Sequence, residues 1–145
     1  MRIIPYHESL TCEFKSDRWL LPLNTLIEAV ICMANGSGGA IYLGVEDNGL
    51  ISGLHPQHRD LQQLERLVCQ YTLPHLVVKI EPLLQDSLVI AQIQIPISSV
   101  PIATIDGRYK RRQLQPNGEP ECVKYRPTPA ELQRAVCSTI KPIAH

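Results

Sequence analysis

Apolar residues recur at helical spacing early in the chain. Leu23, Leu26, Ile27, Val30, Ile31 and Ala34 fall at i, i+3, i+4, i+7, i+8 and i+11, which predicts a helix over about residues 21–34. Pro22 is tolerated there because it sits in the first turn. Asn35-Gly36 stops the helix, as both residue types accept the left-handed conformation a helix C-terminus asks for. Gly38-Gly39 then lets the chain reverse without a Cβ clash. Ile41, Leu43 and Val45 alternate as one face of a strand over residues 40–45 that contains Gly44. Asp47-Asn48-Gly49 closes it as a hairpin turn onto residues 50–53.

Further on the pattern changes character several times. A short strand is expected at residues 11–15, after an arm that contains Pro5. Leu61, Leu64, Val68 and Tyr71 share one helical face, predicting a second helix from Arg59 to Tyr71. Residues 77–82 and 88–95 are β-branched-rich runs separated by Gln85-Asp86, as in a hairpin. Residues 102–105 and 108–112 flank Asp106-Gly107 and read as another. Residues 113–120, with Pro116-Asn117-Gly118, read as a polar and mobile loop. A last strand is expected at 121–126. Thr128-Pro129-Ala130-Glu131 is a capping box with proline at the first helical position, so a helix runs from about 129 to 140 and Pro142 ends it. Helices and hairpins in this order argue for one α+β domain: a mixed, mostly antiparallel sheet with about three helices packed on it.

Composition narrows the function classes. With 145 residues, 44% apolar and 19% charged, the chain suits one globular core. No apolar run approaches the ~20 residues of a membrane span, and the N-terminus lacks a secretory pattern. The five cysteines are dispersed, with no Cys-x-x-Cys pair. Neither a disulfide frame nor a zinc site is expected, Cys12 and Cys32 read as small core residues, and a reducing cytoplasm suits the set. Net charge is zero but unevenly spread. Residues 1–105 carry six basic and ten acidic side chains, and residues 106–145 eight basic and four acidic.

Two constellations could carry chemistry. Glu8, Glu13 and Asp47, if brought together, could hold a divalent metal by oxygen ligation, with Lys15 on the same strand face as Glu13 to contact a phosphate. The plain alternative is a surface ion pair and a turn aspartate. Arg108, Lys110 and Arg112 alternate on one strand face, with Tyr109 and Arg111 on the other, and Lys124 and Arg126 alternate on the last strand. Were those strands neighbours, five cations would line one surface for phosphate contact, with Tyr109 and Tyr125 able to stack on bases. The alternative is a solvated edge defended against aggregation.

Other features carry less. The glycines of 36–39 precede a strand and no Gly-Lys-Ser/Thr follows, which excludes a P-loop. His55-x-x-His58 lacks further ligands and reads as a solvated turn, and Trp19 reads as a core anchor.

One composite pattern goes further. Glu8-x-x-x-x-Glu13-Phe14-Lys15, a helix ending in Ala34-Asn35-x-x-Gly38-Gly39, the strand and turn Ile41-x-x-Gly44-Val45-x-Asp47-x-Gly49, and Gly53-Leu54 together resemble the Schlafen-type AlbA-like domain. The resemblance is strong over about the first 55 residues and in outline beyond. It implies structural turn roles for Asn35, Gly38, Gly39, Gly44 and Gly49. It also implies a nucleic-acid-binding domain, DNA favoured over RNA, forming the N-terminal part of a bacterial transcriptional regulator and needing no cofactor to bind. In the Schlafen proteins the matching acidic positions form a nuclease site, so the alternative is a Mg²⁺- or Mn²⁺-dependent endonuclease using Glu8, Glu13 and Asp47 with Lys15. Some relatives are described as ATPase- or helicase-related, but no residue here supports ATP hydrolysis. A third reading is a dimerisation module that pairs residues 88–95 with a second copy.

Overall fold

The periodic segment around residues 23–34 does form a helix, and it is the centre of the molecule. The structure is a computed structural model and describes residues 2–139. Helix α1, Leu23–Asn35, is preceded by Pro22 as its N-cap residue. It buries Leu26, Ile27 and Val30 and then every residue from Ile31 to Ala34. A surface helix buries one stripe; the second half of α1 is enclosed because it has structure on two sides.

On one side lies a four-stranded sheet. Strand β1 (Cys12–Lys15) runs parallel to β2 (Gly39–Leu43). Antiparallel to β2 is the last of the next three strands: β3 (Thr72–Leu73), β4 (Lys79–Gln85) and β5 (Leu88–Ile95). The order is β1-β2-β5-β4. Ile41 stands opposite Ile93, and Ile93 opposite Ile80. That face packs on α1 and on Leu64 and Val68 of α2 (Leu61–Gln70). On the opposite face Phe14, Tyr42 and Ile90 pack with Ile4 of the N-terminal arm and with Val45 and Ile51.

On the other side of α1 lies the basic region. Three further strands follow: β6 (Ala103–Thr104), β7 (Lys110–Leu114) and β8 (Pro120–Lys124), then α3 (Pro129–Thr139). Strands β7 and β8 pair with each other and cover α1. The fold is α+β, as expected. Thr128 caps α3 as the capping box requires, its Oγ1 accepting from Glu131 N–H at 3.1 Å. The expected stop at Pro142 lies outside the described residues.

Several expectations need correction. Residues 102–105 and 108–112 turn back on each other at Asp106-Gly107, Thr104 N–H donating to the Arg108 carbonyl at 3.0 Å, but the hairpin stops at a single bridge between Ala103 and Tyr109, and β6 pairs with β3 instead. The cause is Asn35, whose amide donates to the carbonyls of both Ile102 and Lys110 at 2.8 Å and accepts from Ile102 N–H. A side chain wedged between two strands occupies the groups they would share. Residues 50–53 are likewise reduced to one bridge, Val45 with Ile51. The 113–120 loop closes as a tight turn, Gln115 and Gly118 N–H donating to Glu119 and Gln115 carbonyls at 2.8 Å.

The turn at the helix end also differs in detail. Gly36 keeps a negative φ of −96°, and the positive φ values come at Gly38 (68°) and Gly39 (133°). Gly36 is required for space instead, since a Cβ there would lie 2.8 Å from the Arg112 carbonyl. At Gly39 a Cβ would run into the Thr11 carbonyl, so the parallel β1–β2 contact depends on its absence. Gly44 and Gly49 also take positive φ.

The expected edge pairing through residues 88–95 is not available. Strand β5 is interior, bonded to β2 on one side and β4 on the other. The edge beside it, β4, is blunted: Ile80 N–H donates to the Glu65 carboxylate at 2.9 Å, and Pro82 has no N–H to offer.

Candidate nucleic-acid interface and the adjoining carboxylates

The two basic strands are neighbours, and the register sets all five cations on one face. Lys110 pairs with Lys124 and Arg112 with Cys122; continuing the register sets Arg108 opposite Arg126. That face, however, is turned inward over much of its length. It meets α1 and the edge of β1, so acidic groups there meet the cations before any phosphate can. Glu28 of α1 accepts from Arg108 at 2.5 Å and from Lys110 at 3.4 Å. The Arg108 hydrogen bond holds the Glu28 carboxyl below the ordinary glutamate range. Asp106 also receives Arg108, at 3.0 Å.

Arg112 is the clearest departure from the sequence reading. It is 4% exposed, which leaves little of it to offer a phosphate. Its Nε donates to the Ser9 and Leu10 carbonyls at 3.2 and 3.1 Å, and its Nη2 to Ser9 and Cys12 at 2.7 and 2.9 Å. Its Nη1 is ion-paired with Glu13. A guanidinium fork spread over three carbonyls and a carboxylate is a structural clamp. It fastens β7 to β1, the other edge strand of the sheet.

Past the end of that clamp the hairpin opens to solvent. Lys124 and Arg126 are exposed and make no ion pair among the described residues. They line a cleft of about 620 Å³ together with Arg108, Lys110, Tyr109 and Tyr125. Tyr109 and Tyr125 stand edge to face with ring centroids 6.1 Å apart. The Arg111 guanidinium lies over the Tyr125 ring at 4.3 Å, so one face of that ring is already taken. The cleft thus presents two unpaired cations, two half-neutralised ones and aromatic walls. Sequence spacing located this strand pair, but only packing shows which cations remain free.

The carboxylates converge in part. Glu8 accepts from Phe14 N–H at 3.0 Å and shares a hydrogen bond with Glu13. Burial, then that bond and the Glu13 charge, push the Glu8 carboxyl up to about 7. Asp47 is exposed on its turn and acts on Glu8 only through its charge. Lys15 does share a face with Glu13, 3.8 Å away. Among the described residues, no three His, Cys, Asp or Glu side chains stand close enough to hold a metal ion. With Glu13 committed to Arg112 and Asp47 apart on its exposed turn, these residues as placed do not fit a divalent metal. Burial also drives the adjacent Cys12 thiol up to about 11, which keeps it protonated and unreactive.

Three more expectations change. Trp19 is 90% exposed: Leu20 closes a turn onto the Asp17 carbonyl with φ 62°, and that reversal swings the indole outward. His58 is not solvated, because its Nδ1 lies 2.8 Å from wholly buried Asp17. Asp17 also accepts from the N–H groups of Leu21 and His55 at 2.8 Å. Cys32 is disulfide-bonded to Cys122 across 90 residues, a pairing that nothing in the spacing signals.

Among the described residues, no helix is long and apolar enough to cross a membrane. The chain is similar to the DIP2311 protein from Corynebacterium diphtheriae, whose crystal structure superposes with a TM-score of 0.65 at 20% identity. The match covers 80% of this chain and 25% of that one, so the likeness is one of fold, over a quarter of a longer protein. No curated protein matches the chain at a significant level. Residues 8–118 match the Schlafen, AlbA_2 family, and the chain belongs to that family.

Proposed function

We propose that the chain is a nucleic-acid-binding domain that holds phosphates in the β7–β8 cleft. The observation that carries this is Lys124 and Arg126, exposed and without an ion pair among the described residues, on the rim of a cleft walled by tyrosines. Cations already matched to carboxylates gain little from a phosphate, whereas free ones release bound counterions when they meet one. Arg108 and Lys110 contribute second, in competition with Glu28. DNA is favoured over RNA, and a place within a transcriptional regulator is favoured, because the regulator-type members of the family suggest both.

Fluorescence anisotropy with labelled duplex DNA and a labelled RNA hairpin at low salt tests the reading. Changing Lys124 and Arg126 together to alanine should weaken binding and flatten the slope of log K against log salt by about 2. Thermal stability should not move. Unchanged affinity and slope would sink the proposal.

A second reading, a Mg²⁺- or Mn²⁺-dependent nuclease, is supported by the meeting of Glu8 and Glu13. It requires Arg112 to release Glu13 first. Cleavage of either probe with Mn²⁺ present, lost in Glu13→Gln, would bring it forward; no cleavage would remove it.

A further inference from the structure

The polar anchors of the hairpin all grip β7. Arg112 reaches Glu13 and three carbonyls, Asn35 reaches the Lys110 carbonyl, and Glu28 reaches Arg108 and Lys110. Strand β8 has a covalent anchor instead, the Cys32–Cys122 disulfide, with Cα atoms 5.8 Å apart. Cys122 lies opposite Arg112 in the register and two residues before Lys124. The bond therefore ties to α1 the strand that carries Lys124 and leads into Arg126.

The two sulfurs belong to unequal surroundings. Cys32 is 1% exposed, while Cys122 is an exposed residue. Both border a small cavity of about 130 Å³ lined also by Lys15, Lys110 and Arg112 and by Glu13 and Glu28, the carboxylates that pair with them. Set against those two carboxylates, the three cations leave a net positive balance beside the disulfide, which stabilises a departing thiolate. The other buried thiol, Cys12, packs with Phe14 and Tyr42 on the sheet face away from α1 and does not compete.

We propose that Cys32–Cys122 is a thiol–disulfide exchange site, opened by a dithiol reductant, that latches β8 and the phosphate-binding rim onto α1. A thiolate of the reductant attacks Cys122 Sγ, forming a mixed disulfide and expelling Cys32 as a thiolate that takes a proton from solvent. The second thiol of the reductant gives its proton to solvent and displaces Cys122, which is protonated in turn. Two electrons and two protons pass to the protein, and the reductant leaves as its own disulfide. With β7 still clamped, the fold survives; β8 is freed to move, and Lys124 and Arg126 lose their fixed spacing from Arg108 and Lys110. Only this last consequence rests on the nucleic-acid reading.

Hydrogen exchange on the full chain tests the latch without any ligand. Oxidised protein is compared with protein reduced by dithiothreitol, the gain of two hydrogens being confirmed by mass. Amides of 120–126 should exchange about tenfold faster or more after reduction, while those of β4 and β5 stay unchanged. Cys122→Ser should match the reduced form and ignore dithiothreitol; should that variant not fold, the wild-type comparison decides alone. Equal exchange in both states would overturn the proposal, as would aerobically prepared protein with both thiols free. In anisotropy with the duplex probe, reduction should weaken binding several-fold. Faster exchange with no probe bound in either state would uphold the latch and discard the nucleic-acid reading.

Discussion

Arg112 separates the structural account from a reading of basic strands as uniform phosphate contacts. Replacing it with alanine leaves the Glu13 carboxylate without its cation and strips hydrogen bonds from the Ser9, Leu10 and Cys12 carbonyls. Breaking a buried ion pair by deleting one partner costs about 3–5 kcal/mol, because the remaining charge is left uncompensated. A domain of this size has a total stability of about 5–15 kcal/mol, so the loss is a large share of it. With a urea m-value of about 2 kcal/mol/M, the midpoint should fall by about 2 M. Arg112→Lys should recover only part, since an ammonium keeps the charge but cannot span three carbonyls and a carboxylate. Equilibrium urea unfolding, followed by far-UV circular dichroism at fixed pH with the disulfide intact, measures both variants. A cost below about 1 kcal/mol for Arg112→Ala would refute the clamp. Lost DNA affinity in that still-folded variant would return Arg112 to the binding face.

Two further substitutions probe the carboxylates and the turn. Because the Glu8 carboxyl is raised from 4.5 to about 7, the folded state holds its proton more tightly than the unfolded one. Its stabilising contribution is therefore full below pH 4.5 and lost as pH rises through about 7. Glu8→Gln should match wild type near pH 4 and exceed its stability by about 1 kcal/mol at pH 8, a modest figure because the group is only half-buried; a difference that does not vary with pH, followed by urea midpoints, would contradict this. Gly39→Ala should cost about 3 kcal/mol or more, combining the strained φ with a collision at the Thr11 carbonyl; thermal unfolding within a degree or two of wild type would show that the β1–β2 contact can yield.

Local and periodic signals were enough for much of this molecule. The spacing from Leu23 to Ala34, the alternation of Ile41, Leu43 and Val45, and the capping box at Thr128 each depend on neighbours within a few residues. Such patterns are written directly in the chain. The family pattern from Glu8 to Leu54 is equally local and marked the nucleic-acid-related class. What could not be read is what meets what across the fold. Alternation located Arg108, Lys110 and Arg112 on one face, but it could not say that α1 and β1 would present Glu28 and Glu13 to that face. Nor could it show Asn35 parting two strands of an expected hairpin, Asp17 drawing in His58, or Cys32 meeting Cys122 from 90 residues away. Each of these joins residues that no period relates, and burial decides their charge and reach. Residue type and spacing determined which groups could act; only tertiary packing decided that Arg112 is a clamp while Lys124 and Arg126 stay exposed, without an ion pair among the described residues.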